Sequence, residues 1–158
     1  MTDFEQFLRP LVQNDVAFIV IGGAAAIAHG SARYTQDLDI LYQRSPANLD
    51  RLVAALAPFQ PYLRGAPPGL PFRWEGATLA RGLNFTLTTT IGDIDILGEI
   101  VGGGAYENLL AESVELEVFE VRCRYLTVRQ LIRAKRAAGR PKDFEAIAEL
   151  EAIEEESR

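Results

Sequence analysis

Hydrophobic positions recur along the chain with two different periods, and their order predicts helices interleaved with strands. Apolar residues three to four positions apart are typical of helices, whereas short continuous or alternating apolar runs are typical of strands. The predicted helices span about residues 2–13, 24–28, 46–57, 105–111, 128–138 and 141 to the acidic tail. The predicted strands span residues 17–21, 37–42, 83–90, 94–97, 114–121 and 122–126.

Polar residues at the ends of these segments support the boundaries. Thr2 and Glu5 have the spacing of a capping box. Ser45 and Thr127 are predicted N-caps of two later helices, and Gly139 is the predicted end of the second of them. Residues 58–71 are rich in proline and glycine, which predicts an irregular loop that serves either substrate contacts or simple connection.

The order of elements predicts one α+β domain, with some α/β character, in which helices flank a mixed β-sheet. The domain is expected to cover residues 1–158, with a core over about 14–126 and C-terminal helices over about 127–156. Residues 83–97 are predicted to form a hairpin, because two strand-like runs meet at a glycine turn.

Composition narrows the class of protein. Hydrophobic residues make up 48% of the chain, which suffices for a core, and no apolar run is long enough to cross a membrane. The net charge is −6, but residues 145–158 carry −5 of it, so the body is close to neutral and a large nucleic-acid surface is not expected.

The first residues do not resemble a signal peptide, and the single cysteine, Cys123, fits a reducing compartment, so we expect a cytoplasmic protein. Cys123 is expected in the core or at its edge rather than as a nucleophile.

Two strands combine acidic and apolar residues in alternation. In a strand, Asp37 and Asp39 point to the same face, and Asp93 and Asp95 repeat the pattern. Neighbouring carboxylates repel each other unless a cation lies between them, and Mg²⁺ prefers such oxygen ligands. We predict a metal site made by Asp37, Asp39 and Asp95, because Asp95 lies well inside its strand and is rigidly placed. Asp93 is the alternative third acid, but it follows the turn residue Gly92 and should be more mobile.

A second candidate feature lies between the first strand and the acid pair. Gly22 and Gly23 would let backbone N–H groups approach a phosphate closely. Arg33 could neutralise phosphate charge, and Thr35 could donate a hydrogen bond nearby. Each feature also has an interpretation without a ligand. The aspartates could be solvated acids at a strand edge, the two glycines could form a tight turn, and Arg33 could form a surface ion pair.

Together these residues resemble the nucleotidyltransferase superfamily related to DNA polymerase beta. The resemblance covers about residues 17–97 and is strongest for small prokaryotic members, including relatives of abortive-infection toxins. It implies that Asp37 and Asp39 bind two Mg²⁺ ions, or Mn²⁺, and that Asp95 holds the catalytic metal and helps to activate the acceptor hydroxyl. Gly22 and Gly23 would contact the triphosphate. Many family members have serine where this chain has Gly23.

The resemblance also implies an activity and partners. The expected reaction moves a nucleoside monophosphate from ATP or another nucleoside triphosphate to a hydroxyl on a small molecule, a protein or an RNA end. The alternatives are a non-catalytic nucleotide-binding or partner-binding protein of the same fold and a metal-dependent phosphohydrolase. A membrane partner is not expected, and an unpaired sheet edge leaves a homodimer open.

Residues 131–143 contain both lysines of the chain and resemble the end of helix–turn–helix segments in small nucleotidyltransferases. One interpretation places Lys135, Arg140 or Lys142 beside the nucleotide. The other is helix capping, with cations at the end of one helix and Asp143 in the first turn of the next.

Overall fold

The computed structural model describes residues 2–157. Its helices are α1 Phe4–Gln13, α2 Gly22–Ala28, α3 Pro46–Leu56, α4 Gly76–Arg81, α5 Tyr106–Leu109, α6 Val128–Ala138 and α7 Phe144–Glu156. Its strands are β1 Phe18–Ile21, β2 Asp37–Tyr42, β3 Tyr62–Leu63, β4 Asn84–Thr89, β5 Gly92–Leu97, β6 Glu99–Ile100, β7 Gly104–Ala105, β8 Ser113–Val118 and β9 Val121–Leu126. Short 3₁₀ turns occupy Ala57–Phe59, Leu110–Glu112 and Pro141–Asp143.

Seven of these strands form one mixed sheet in the order β3-β4-β5-β2-β1-β9-β8. The pairs β2–β5 and β1–β9 are parallel, and the other neighbours are antiparallel. Strands β6 and β7 pair separately. The mixed sheet flanked by helices confirms the predicted α+β class, and β4 and β5 form the predicted hairpin.

Strands β1 and β2 lie at the centre of the sheet, where burial differs between their faces. Every residue of β1 is buried, as the continuous apolar run predicted. In β2, Leu38 and Ile40 are fully buried, while Asp37 and Asp39 keep partial exposure. The alternation of the strand therefore places both carboxylates on the side of the sheet that solvent reaches.

The predicted helix ends are confirmed at three positions. The Ser45 hydroxyl accepts from the backbone N–H of Asn48 at 3.3 Å, and the Thr127 hydroxyl accepts from that of Gln130 at 3.2 Å. Gly139 ends α6 in the left-handed conformation, with φ of 64°.

The predicted capping box of Thr2 and Glu5 is wrong. Asp3 is the N-cap of α1, because its Oδ1 accepts from the backbone N–H of Gln6 at 3.0 Å. Thr2 instead accepts from the backbone N–H of Asp93 at 3.0 Å through its hydroxyl. Thr2 therefore makes a long-range contact near the start of β5, and not the helix cap that its local spacing predicted.

Residues 58–71 are more ordered than predicted. The segment contains β3, and the Tyr62 hydroxyl donates to the carbonyl oxygen of Pro67 at 2.6 Å. The Tyr62 ring also meets Phe72 edge to face, with centroids 5.9 Å apart. The loop is therefore folded back on itself by an aromatic residue, which local composition does not reveal.

Two expectations about composition can be checked in the described residues. Cys123 is buried, and burial raises the pKa of its thiol to about 11, which is consistent with a core residue and not with a nucleophile. Between residues 2 and 157, no helix has both the length and the apolar character that a membrane span requires.

Candidate metal and phosphate site

The parallel pairing of β2 and β5 sets the acids side by side. Asp37 lies opposite Asp93, and Asp39 lies opposite Asp95. One carboxylate oxygen from each of Asp37, Asp39 and Asp95 falls within 4.8 Å of the others, so these three residues could hold a metal ion. The structure brings together the predicted triad, and the metal role of each acid stays a prediction.

Asp39 has the most unfavourable environment for a negative charge. Its Oδ1 atom is buried and has no hydrogen-bond partner among residues 2–157. Burial, followed by the nearby carboxylates of Asp95 and Asp37, raises the pKa of Asp39 to about 8. A buried oxygen without a donor, beside two further carboxylates, fits the ligand set of a divalent cation.

Gly22 borders this carboxylate because Ile21, at the end of β1, pairs with Asp39. Gly22 has φ of 63°, a conformation that side chains disfavour, and a Cβ at this position would overlap Asp39 Oδ2. A Cβ at Gly23 would lie 2.8 Å from Cβ and Oγ1 of Thr35. The two glycines therefore let the first residues of α2 pass directly between the acid cluster and Thr35.

Arg64 directly follows β3, and its side chain extends into the acid cluster. Sequence reasoning did not identify this residue. Its Nη2 donates to Asp95 Oδ1 at 2.8 Å and to the Leu87 carbonyl oxygen at 2.7 Å. Its Nη1 lies 3.5 Å from Asp37 Oδ2, and its Nε lies 3.4 Å from Asp93 Oδ2. One guanidinium thus contacts three carboxylates of the two acidic strands.

The arginine changes the electrostatics of the cluster without cancelling its negative charge. Burial raises the pKa of Asp37, Arg64 opposes that shift, and Asp95 and Asp93 add to it, with a net increase. Four carboxyl groups therefore lie around a single guanidinium, and the carboxyl groups outnumber the positive charge. Nothing in the local sequence around Arg64 signals this contact, because it depends on how the β3 segment folds over β4.

The predicted phosphate-binding side chains do not join the acids. The Thr35 hydroxyl donates to the carbonyl oxygen of Asp37 at 3.3 Å and so helps to shape the start of β2. Arg33 lies 3.8 Å from Glu145 in an exposed ion pair, as the alternative interpretation expected. Neither side chain contacts the carboxylates of the triad.

These residues instead meet in a neighbouring cavity of about 210 Å³. Gly23, Arg33, Thr35 and Lys135 line it, together with residues of α2 and α7. On its wall, the carboxylate of Glu149 accepts from the Ser31 hydroxyl at 2.6 Å and from the Ala32 backbone N–H at 3.0 Å. Four of the five residues predicted to bind the nucleotide therefore share one cavity, and the remaining one, Gly22, separates it from the acids.

In the basic C-terminal segment, two cations pair with one carboxylate between the helices, and the contact with a nucleotide stays a prediction. Lys135 lies 3.6 Å from the buried carboxylate of Asp143, and Arg140 Nε donates to the same carboxylate at 2.8 Å. The Lys135 pair joins α6 to the turn that precedes α7, and the Arg140 pair lies within that turn and the residue before it. Lys135 also lines the cavity, whereas Lys142 is exposed.

Comparisons with known proteins agree with this architecture. No family model matches the sequence, and no curated protein matches it. Among solved structures, the chain is similar to a Thermotoga maritima protein described as a "putative nucleotidyltransferase". The two share 14% identity at a TM-score of 0.60, over 92% of this chain and 88% of the other. The chain therefore has an α+β fold shared with that nucleotidyltransferase-like protein.

Proposed function

We propose that the protein is a metal-dependent nucleotidyltransferase that moves a nucleoside monophosphate from a nucleoside triphosphate to an acceptor hydroxyl. The observation that carries this proposal is the convergence of Asp37, Asp39 and Asp95 beside the Gly22-Gly23 turn. Two strands in parallel register supply the acids, which gives them a rigid frame. The coarse likeness to the Thermotoga protein supports the same class of reaction.

Asp37, Asp39 and Asp95 would together hold the Mg²⁺ or Mn²⁺ ions, of which we expect two. The ions would supply charge stabilisation for the phosphoryl group and the leaving pyrophosphate. In the reaction, the acceptor oxygen forms a bond to the α-phosphorus, and the bond from that phosphorus to the bridging oxygen breaks. Pyrophosphate leaves, and Asp95 assists removal of the acceptor proton.

The backbone at Gly22 and Gly23 would contact the triphosphate, because neither residue has a side chain to hold a phosphate away. Arg33, Thr35 and Lys135 line the adjoining cavity and would contact another part of the same nucleotide. Its volume of about 210 Å³ is below the roughly 300–1,000 Å³ of typical small-molecule pockets. The cavity would therefore enclose part of a nucleotide and leave the rest exposed to an acceptor.

Transfer can be tested with α-³²P-labelled nucleoside triphosphates, supplied one at a time with Mg²⁺. Total RNA, protein and metabolite fractions would serve as acceptors, so that toxin-like RNA modification and small-molecule modification give different products. We expect label to enter one fraction with the native chain and to be lost in the Asp37→Asn/Asp39→Asn variant. Release of labelled monophosphate without a labelled acceptor would instead support a phosphohydrolase.

A second candidate is a non-catalytic protein that binds a nucleotide or a partner with the same fold. The contacts of Arg64 favour it, because a guanidinium can stabilise acidic side chains without any metal ion. Binding of a triphosphate that does not depend on Mg²⁺ or on the triad, with no transfer to any fraction, would support this alternative over the enzyme.

A further inference from the structure

We infer that Arg64 is a positioning residue that competes with the divalent cation for the carboxylates of the triad, and that cation binding displaces its guanidinium. This inference rests on the metal site of the proposed function. It assigns Arg64 a specific part in controlling how tightly the site binds metal.

The contacts place Arg64 where a cation would lie. Its guanidinium reaches Asp37, Asp93 and Asp95, and the Arg64 side chain is only 26% exposed. Two of those acids, Asp37 and Asp95, are also members of the triad whose oxygens lie within 4.8 Å of one another. Asp37 and Asp95 therefore contact Arg64 in this structure and would also have to bind the metal ion.

Simultaneous occupation is unfavourable for two physical reasons. Mg²⁺ needs oxygen atoms at about 2.0–2.1 Å in near-octahedral geometry, which a guanidinium bonded to Asp95 Oδ1 obstructs. A divalent cation and a guanidinium a few ångströms apart also repel each other in a partly buried site. Binding of the ion should therefore release the contacts of Arg64 with Asp37 and Asp95.

The arginine is held in a way that permits such a release. The Arg64 Nε atom is buried without a hydrogen-bond partner within the described chain, so its environment in the cluster is not fully satisfied. Gly65 follows with φ of 78° and open space around the position of a Cβ. A backbone hydrogen bond from Arg64 N–H to the Thr86 carbonyl oxygen, at 3.0 Å, holds the segment on the sheet. The side chain can leave the acids while this backbone contact stays in place.

Metal binding gives the first test, with Mn²⁺ as the probe and the signal of free Mn²⁺ in electron paramagnetic resonance as the readout. We expect Arg64→Met to bind Mn²⁺ at least about tenfold more tightly than the native chain, because the competing charge is gone. Arg64→Lys keeps the charge without the planar fork and should fall between them. The matched control is Arg122→Met, which removes a positive charge from an exposed ion pair with Glu115. It should bind Mn²⁺ like the native chain.

Trypsin gives a second test that reports displacement directly, because it cleaves after arginine. A guanidinium bound by three carboxylates is a poor substrate, so saturating Mn²⁺ should speed cleavage of the Arg64–Gly65 bond several-fold. The Arg73–Trp74 bond lies in the same loop region with Arg73 exposed, and its cleavage rate should stay constant.

The outcomes separate this inference from the proposed function. Tighter Mn²⁺ binding by Arg64→Met together with faster cleavage at Arg64–Gly65 supports the competition. Binding of Mn²⁺ to the native chain with no change in cleavage, or equal affinity in Arg64→Met, overturns it and leaves the metal site intact. Absence of Mn²⁺ binding in the native chain, Arg64→Met and Arg64→Lys alike overturns both the competition and the metal-dependent enzyme.

Discussion

Asp39 combines burial with two neighbouring carboxylates, an arrangement that disfavours its ionised form. The unpartnered Oδ1 atom shows that no donor within residues 2–157 offsets this cost. Groups with strongly shifted pKa values in such surroundings concentrate at functional sites. The same residue should therefore lower the stability of the protein when no cation is bound and be stabilised when one is.

The raised pKa of Asp39 predicts how stability depends on pH in the presence of a chelator. The carboxyl titrates near 3.8 when unfolded and near 8 when folded, so the folded state holds the proton more strongly. Its contribution is present at low pH and is lost as pH rises from about 4 to about 8. Asp39→Asn should remove this loss and stabilise the protein at pH 8.5 by up to about 5 kcal/mol.

Urea unfolding of both proteins over this pH range, with a chelator present, measures that difference. The native chain should gain more stability than Asp39→Asn when Mg²⁺ replaces the chelator. An unchanged difference in the free energy of unfolding between pH 5 and pH 8.5 would contradict the role assigned to Asp39.

Gly22 offers a test of how closely the turn fits the acid. Gly22→Ala should destabilise the protein by about 2–4 kcal/mol, because it combines a left-handed backbone with overlap on Asp39 Oδ2. Gly139→Ala is a matched control, since Gly139 has φ of 64° and its nearest neighbour lies 3.9 Å from a Cβ. That change should cost only about 1 kcal/mol. Thermal unfolding compares the two, and equal losses would show that contact with Asp39 is unimportant.

Among the elements, those with a continuous periodic pattern were predictable from the sequence. Strands β1 and β2 and helices α3 and α6 follow their apolar spacing and caps. Strand β3 and helix α4 were missed, because a two-residue strand and a six-residue helix give little periodicity and depend on tertiary packing. The triad could be expected from alternation within strands, whereas Arg64 could not, because its contacts arise only once β3 pairs with β4.

The buried carboxylate of Asp143 links α6 to the turn that precedes α7 through its contact with Lys135. Burial alone would raise the pKa of Asp143, but hydrogen bonds and charges from Arg140 and Lys135 lower it overall. The stabilisation is thus present above the unfolded pKa of 3.8 and is lost as pH falls below it. Asp143→Asn should cost about 2–3 kcal/mol at pH 7, and the deficit should shrink below about pH 4.

Chemical unfolding at pH 7 and at pH 3.5 measures this loss. A matched control is Glu151→Gln, which breaks the exposed ion pair with Arg136 and should cost at most about 1 kcal/mol. Equal costs for the two variants would show that Asp143 does not hold the helices together.

On the scale of the whole molecule, the residues assigned to metal and nucleotide lie on both sides of one glycine turn. Ligands that bind only the folded state raise its apparent stability. Mg²⁺ with a non-hydrolysable ATP analogue, at about 100 times the dissociation constant, should add about 2.7 kcal/mol. For a chain of this size, that corresponds to an increase in melting temperature of roughly 5–10 °C.

Differential scanning fluorimetry with metal alone, analogue alone and both together tests this expectation. The increase should require both components and should disappear in Asp37→Asn/Asp39→Asn. An equal increase without Mg²⁺ would favour the non-catalytic nucleotide-binding protein.

The pairing of β1 with β9 has a consequence for folding during synthesis. Strands β2, β4 and β5, which carry and support the acids, are complete once residue 97 has left the ribosome. Strand β1 can pair with β2 by then, but its other edge must wait for β9, since Val20 pairs with Tyr125. Contacts between residues so distant in sequence form slowly. A nascent chain therefore exposes one edge of β1 after its acidic strands can already pair, and this interval is when it is most open to chaperones or to misassembly with another copy.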